Sequence, residues 1–242
     1  MSEIKKAALV EAQAVSDEEL ALINRQSLKT LAAEAVFTFK LAACDNEVDR
    51  DNERFTDGAL GKLAQLYVGR TVICDHSWLA SKQTARVYAA QVEDIPTGVK
   101  RLVLRCYMLR SEQAQPTIDA IEGGIMRECS VGCAVSQAKC SICGTDRAVK
   151  ACGHRPGTEY NGKRCHVDLD GVTDAYEVSF VAVPAQPAAG IVKTYGGENT
   201  PADGEGGRHE QGSELGLRLR LLSARAKYSA ATIGNPKIKK ED

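Results

Sequence analysis

The chain has 242 residues, 43% of them hydrophobic but only 5% aromatic, enough for one domain with tails or two small domains whose core rests on Val, Leu, Ile and Ala. Its 31 basic and 32 acidic residues leave a formal net charge of −1, which excludes a general electrostatic pull toward nucleic acid or an anionic membrane. There is no apolar run of about 18 residues to span a bilayer. The first twenty residues lack both the apolar stretch and the cleavage pattern of a secretory leader. The expected compartment is therefore a cytoplasm, where nine cysteines read as thiols or metal ligands rather than disulfides.

Residues 1–30 form a polar segment, with a weak helical pattern in DEELALINRQSLKTLA. EAVFTFKLAAC alternates and is rich in β-formers, which predicts a strand near 35–44. DNEVDRDNERF follows as a dense polar loop with seven charged residues. TDGALGKLAQLYVG predicts a short helix opened by Thr56 or Asp57 as N-cap, and RTVICDH a buried strand ending at His76. TARVYAAQVED and VKRLVLRCYML flank an IPTG turn and predict a hairpin. SEQAQPTIDAIEGG predicts a helix with Ser111 near its cap and Gly123 at its end. IMRECSVGCAV returns to strand, residues 139–165 are irregular and Gly-rich, and DAYEVSFVAVPAQ is the last clear strand, stopped by Pro184. Residues 196–212 have the composition of a flexible linker, and 213–242 form a basic tail that opens on alternating Leu and Arg.

The irregular segment carries a metal-ligand pattern. Cys140-x2-Cys143 precedes Cys152-x-His154 and then Cys165, so five candidate donors are offered where a tetrahedral zinc takes four. A C-x2-C knuckle sets two sulfurs about 3.7 Å apart on one ion with Zn–S near 2.3 Å. The loop has too few apolar residues to order itself, and zinc would supply that free energy. The favoured set is Cys140, Cys143, Cys152 and His154, with Cys165 as the substitute for His154. A reduced surface thiol cluster is the simpler alternative. His166 is a weaker candidate because it begins the next strand. Four protein ligands leave no open position, so the expected site is structural rather than catalytic.

Ser130 needs a separate reading from the cysteines beside it. On a strand, Cys129, Val131 and Cys133 share one face and Ser130, Gly132 and Ala134 the other. The first face reads as core, where a free Cys behaves as a small hydrophobe. The second is small and open, with Gly132 admitting close approach of another chain, which suits a nucleophile. The base must be a histidine, and of the four in the chain His209 lies in the linker while His154 and His166 belong to the metal segment. His76 remains, with a satisfied half-buried imidazole as its plainer reading. Asp75 adjoins it but points to the opposite face of a strand. Glu177, a carboxylate amid apolar residues, is costly to bury unless paired and is the better orienting acid; an exposed strand edge is its alternative. A cysteine nucleophile at Cys74, Cys129 or Cys133 is a weaker option, since i,i+2 side chains on a strand diverge.

CDNEVDRDNERF, ICDHS, GGIMRECSVGCAV and DAYEVSFVAVPAQPAAGIVK together resemble the prohead, or capsid-maturation, serine proteases of tailed bacteriophages, over a span from about Phe37 to Lys193. The resemblance implies an assemblin-like α+β fold, a small and mostly antiparallel β-barrel flanked by helices over 31–195, with 139–165 as an inserted zinc-binding loop. It implies cleavage of capsid and scaffold proteins inside a procapsid in the bacterial cytoplasm, with no nucleic acid or membrane partner, and it leaves room for homo-oligomers. By the same resemblance Ser130 is the nucleophile, His76 the base and Glu177 the third member of the set. A non-enzymatic, zinc-stabilised capsid- or scaffold-associated protein is the alternative.

Overall fold

The computed structural model describes residues 15–192, so the linker and basic tail, with His209, lie outside the described residues. Helix α1 (Asp17–Asn24) opens with a capping box in which the Ser16 hydroxyl accepts from the Glu19 N–H and the Glu19 carboxylate accepts from the Ser16 N–H. It buries Ile23 completely against Leu31, Val36, Tyr88 and Tyr107, a small core of its own. Strand β1 (Val36–Asp45) and strand β2 (Glu53–Phe55) follow, the second inside the stretch expected to be only loop. Helix α2 (Asp57–Tyr67) is capped by Thr56, whose hydroxyl accepts from the Ala59 N–H at 3.1 Å. Ala59, Leu60, Leu63 and Tyr67, one stripe at helical spacing, are fully buried. Burying a leucine in this way is worth about 1.5–3 kcal/mol.

Strand β3 (Thr71–Cys74) stops two residues short of His76. Strands β4 (Ala85–Asp94) and β5 (Lys100–Leu109) form the expected hairpin, closed by an Ile95–Gly98 turn. Helix α3 (Gln115–Glu122) has Pro116 in its first turn and Ala114, not Ser111, at its N-cap, although the Ser111 carbonyl accepts from the Gln115 N–H. Strand β6 (Cys129–Cys140) is followed by a two-stranded ribbon of β7 (Glu159–Tyr160) and β8 (Lys163–Arg164), then by β9 (Val167–Phe180) and β10 (Gly190–Ile191).

The main sheet runs β10-β1-β5-β4-β3-β9-β2, with β6 also paired to β9. Only β2–β9 and β3–β9 are parallel, so the sheet is mostly antiparallel as expected. The architecture is α+β, strand-dominated with three α-helices among the described residues. The expected closed barrel is not formed. The β10 end meets the chain before β6 only through an isolated Glu128–Gly190 bridge and bonds such as Ile191 N–H to the Arg127 carbonyl, which stop short of a strand-to-strand ladder. Short β10 has too few residues to complete the seam. The main core packs β1, β5, β6, β9 and α2 together through Leu41, Leu102, Leu104, Leu60, Leu63, Cys129 and Val178, each fully buried.

Candidate active site and metal centre

Strand β9 sits between β3 and β6, and its register fixes which side chains share a face. Ser179 pairs with Ser130 on one side and Ile73 on the other, while Glu177 pairs with Gly132 and Thr71. Paired residues point to the same side of a sheet. Ser130, Gly132, Glu177, Ser179, Thr71 and Ile73 therefore occupy one face, and the opposite face puts Cys129, Val178 and Phe180 into the core. Val131 and Cys133 also pack against that core, as strand alternation predicts, and Ser130 is half-buried.

His76 is not on a strand. Cys74 to Ser77 form a tight turn in which the Ser77 N–H donates to the Cys74 carbonyl at 3.0 Å. Both central residues are left-handed, Asp75 at φ 54° and His76 at φ 51°, the signature of a type I′ turn. A left-handed residue other than Gly costs roughly 1–2 kcal/mol, and two in succession need support. The end of β9 supplies it. The Asp75 N–H donates to the Phe180 carbonyl at 2.9 Å, and the His76 N–H to the fully buried Ser179 hydroxyl at 2.8 Å. The assumption that Asp75, His76 and Cys74 alternate along a strand is thereby corrected, because the strand has ended and the turn sets their directions.

The turn brings the imidazole onto Glu177. His76 Nδ1 lies 2.9 Å from Glu177 Oε1, with the carboxylate side chain only 4% exposed and the ring 44% exposed. Burying a carboxylate is costly unless it is paired and hydrogen-bonded, and His76 provides that partner. Glu177 Oε2 is buried with no hydrogen-bond partner. Gly132 explains how the carboxylate fits. A Cβ built on Gly132 would meet Glu177 Oε1 at 2.4 Å, so the acid lies where any other side chain would be. The Tyr67 hydroxyl fixes that strand from the core side, donating to the Gly132 carbonyl at 3.0 Å. Sequence reasoning had Gly132 admitting a substrate; its immediate neighbour is the acid. Ser179 is a site residue that sequence reasoning missed, and its spacing of two from Glu177, which puts both on one strand face, was the available signal.

The cysteines nearby are poor nucleophiles. Burial pushes the Cys129 thiol up to about 12 and Cys133 to about 11, the nearby Glu177 adding to the second. Burial also raises Cys74.

At the far end of the β6–β9 pair, the ligand atoms of Cys140, Cys143, Cys152 and His154 all lie within 4.8 Å of one another, and no disulfide joins the cysteines. Cys140 is the last residue of β6, so the strand runs into the start of the segment 139–165 that was expected to be irregular. Three thiols and one imidazole are the donor set of a tetrahedral zinc site. One observation of this structure fits a cation: His154 Nδ1 is buried with no hydrogen-bond partner. The ring is held edge-on against Tyr160 at 4.7 Å, and the Arg147 guanidinium donates to the His154 carbonyl at 3.0 Å. The Thr145 side chain, 3.2 Å from Cys143 Sγ, draws that thiol down to about 6. Cys165 stands beside the four as a fully buried thiol, its Sγ 3.9 Å from that of Cys140. His166 turns instead to Asp168 at 3.4 Å.

Among the described residues no helix is long and apolar enough to cross a membrane. No family model, curated protein or solved structure matches the chain.

Proposed function

We propose that this chain is a serine endopeptidase of the prohead type, cleaving capsid and scaffold proteins during phage head maturation. The observation that carries the reading is the hydrogen bond between the buried Glu177 carboxylate and His76 Nδ1, on the sheet face that also bears Ser130. Ser130 Oγ attacks the scissile carbonyl and forms the acyl-enzyme. With Nδ1 engaged by Glu177, the proton from Ser130 goes to Nε2 of His76 and then to the leaving amine. Glu177 holds the imidazole in that tautomer and stabilises its cationic form. The left-handed turn, secured by Ser179 and Phe180, fixes the ring before substrate arrives.

In the same reading Cys140, Cys143, Cys152 and His154 hold a zinc ion. When bound it supplies ordering free energy to a segment without a core of its own. The four residues close the coordination shell, so the metal takes no part in hydrolysis.

The test is co-expression with the capsid and scaffold proteins of the same phage. The wild-type chain is expected to yield mature-length capsid protein and the Ser130→Ala variant only precursor. Full processing by Ser130→Ala, or by a double Ser130→Ala, His76→Ala variant, would assign the chain to a non-enzymatic role in head assembly.

A further inference from the structure

Across the sheet from Ser130, on the same face, lies a cavity of about 310 Å³. Thr71 and Ile73 of β3 form its floor, Glu177 one wall, and Trp78, Leu79 and Tyr176 its rim. Two inter-strand spacings, roughly 10 Å, separate the backbone of β6 from that of β3. The rim is unusual for a soluble surface: Trp78 is 72% exposed, Leu79 60% and Tyr176 41%. The chain has a single tryptophan, and it sits two residues after His76.

Tyr176 reaches this rim through a defect in the ladder. Gly132 pairs with Glu177 and Cys133 with Ala175, so Tyr176 is the extra residue of a bulge on β9. Without the bulge, alternation would turn Tyr176 toward the core; instead its ring meets Trp78 at a centroid distance of 5.6 Å, tilted by 55°. Two exposed aromatic rings from separate elements thus support each other beside the His76–Glu177 pair.

We infer that this cavity is the pocket that receives a large apolar side chain of the substrate next to the cleaved bond, with Trp78 and Tyr176 as its specificity-determining residues. The inference rests on the serine endopeptidase reading of the adjoining site. The wall chemistry selects the class. Ile73, Leu79, Ala80 and the two rings offer apolar contact, and the uncharged polar groups are the Thr71 hydroxyl and the Gln83 amide, whose oxygen already accepts from Arg86. The one charged group, Glu177, repels an anionic side chain. Its Oε1 is already committed to His76, so a cationic side chain drawn to this carboxylate would compete with the histidine. Leucine, methionine and phenylalanine fit such a wall, with dispersion and area burial as the gain.

The test is digestion of a random tetradecapeptide pool by the full chain, with cleavage sites read by mass spectrometry. In parallel, Ser130 is labelled with a small alkyl fluorophosphonate that does not reach the cavity. One position flanking the cleaved bond is expected to be enriched in Leu, Met and Phe by about tenfold over Lys, Glu and Gly. Trp78→Ala and Tyr176→Ala are each expected to cut that enrichment to below about threefold while leaving the rate of Ser130 labelling unchanged. Ser130-dependent cleavage without this preference, or a preference that both variants retain, overturns the pocket and leaves the endopeptidase reading standing. Absence of both cleavage and labelling overturns both.

Discussion

At the scale of single residues, the proposed site turns on Gly132 and Ser179 as much as on the groups proposed to react. A methyl group at position 132 would collide with Glu177 Oε1, so the carboxylate must shift from the position in which it meets His76. Gly132→Ala is therefore expected to displace the carboxylate, cost about 1–3 kcal/mol of stability by overpacking, and lower turnover on the order of 100-fold through a misplaced base. Thermal unfolding and peptide hydrolysis check this; unchanged turnover would contradict it. Ser179→Ala removes the acceptor of the His76 N–H in a left-handed turn. It is expected to lower kcat more than it raises KM, because it loosens the base rather than the substrate. The thiols offer a readout without a substrate. In metal-free protein Cys143, drawn down to about 6, is mostly thiolate at pH 7, whereas Cys129 at about 12 and Cys133 at about 11 are protonated. Brief iodoacetamide treatment at pH 7 is expected to modify Cys143 first and to spare it in zinc-loaded protein; earlier modification of Cys129 or Cys133 would contradict the assigned burial.

At the scale of elements, β6 and β9 carry both candidate centres. Ser130 and Glu177 stand at one end of the pair, and Cys140 and Val167 close the other, about ten residues or roughly 30 Å away. A metal bound by Cys140, Cys143, Cys152 and His154 at the far end would tie β6 to the loop that returns into β9. Chelation is expected to raise hydrogen exchange in residues 138–167 while β1 and β5, buried in the main core, keep their protection. Uniform loss across the chain would instead mean that the metal holds the whole fold. Much of this was readable from alternation and spacing. Cys129 and Cys133 went to the core and Ser130 to the other face because β6 carries no extra residue of its own, and the clustering of Cys140, Cys143, Cys152 and His154 followed from C-x2-C and C-x-His. What escaped was tertiary. Strand β2 has three residues in a charged run, and only parallel pairing with β9 makes it a strand. The end of β3 at Cys74 depends on bonds from β9, which local propensity does not encode. The bulge at Tyr176 is invisible to a pattern of period two.

At the scale of the whole molecule, a mixed sheet brings three distant segments to one point: the turn at 74–77 after β3, the start of β6 and the end of β9. Among the described residues none of the proposed reacting groups lies on a helix. Helix α2 contributes Tyr67, whose hydroxyl braces Gly132 from beneath, and its leucines seat β9 on the core. The barrel expected from the resemblance gave way to an open ladder with one bridge at its seam, and the β3-β9-β6 portion is enough to put Ser130 and Glu177 on one face and His76 on Glu177. The central proposal is that the His76–Glu177 pair activates Ser130 on the same sheet face. The most direct measurement is covalent labelling of the purified full chain with a small fluorophosphonate, the adduct mapped by peptide mass spectrometry. A single adduct on Ser130, lost in Ser130→Ala and slowed on the order of 100-fold or more in His76→Ala, is the predicted result. No adduct on folded wild-type protein, or labelling of Ser130 at the same rate without His76, would contradict it.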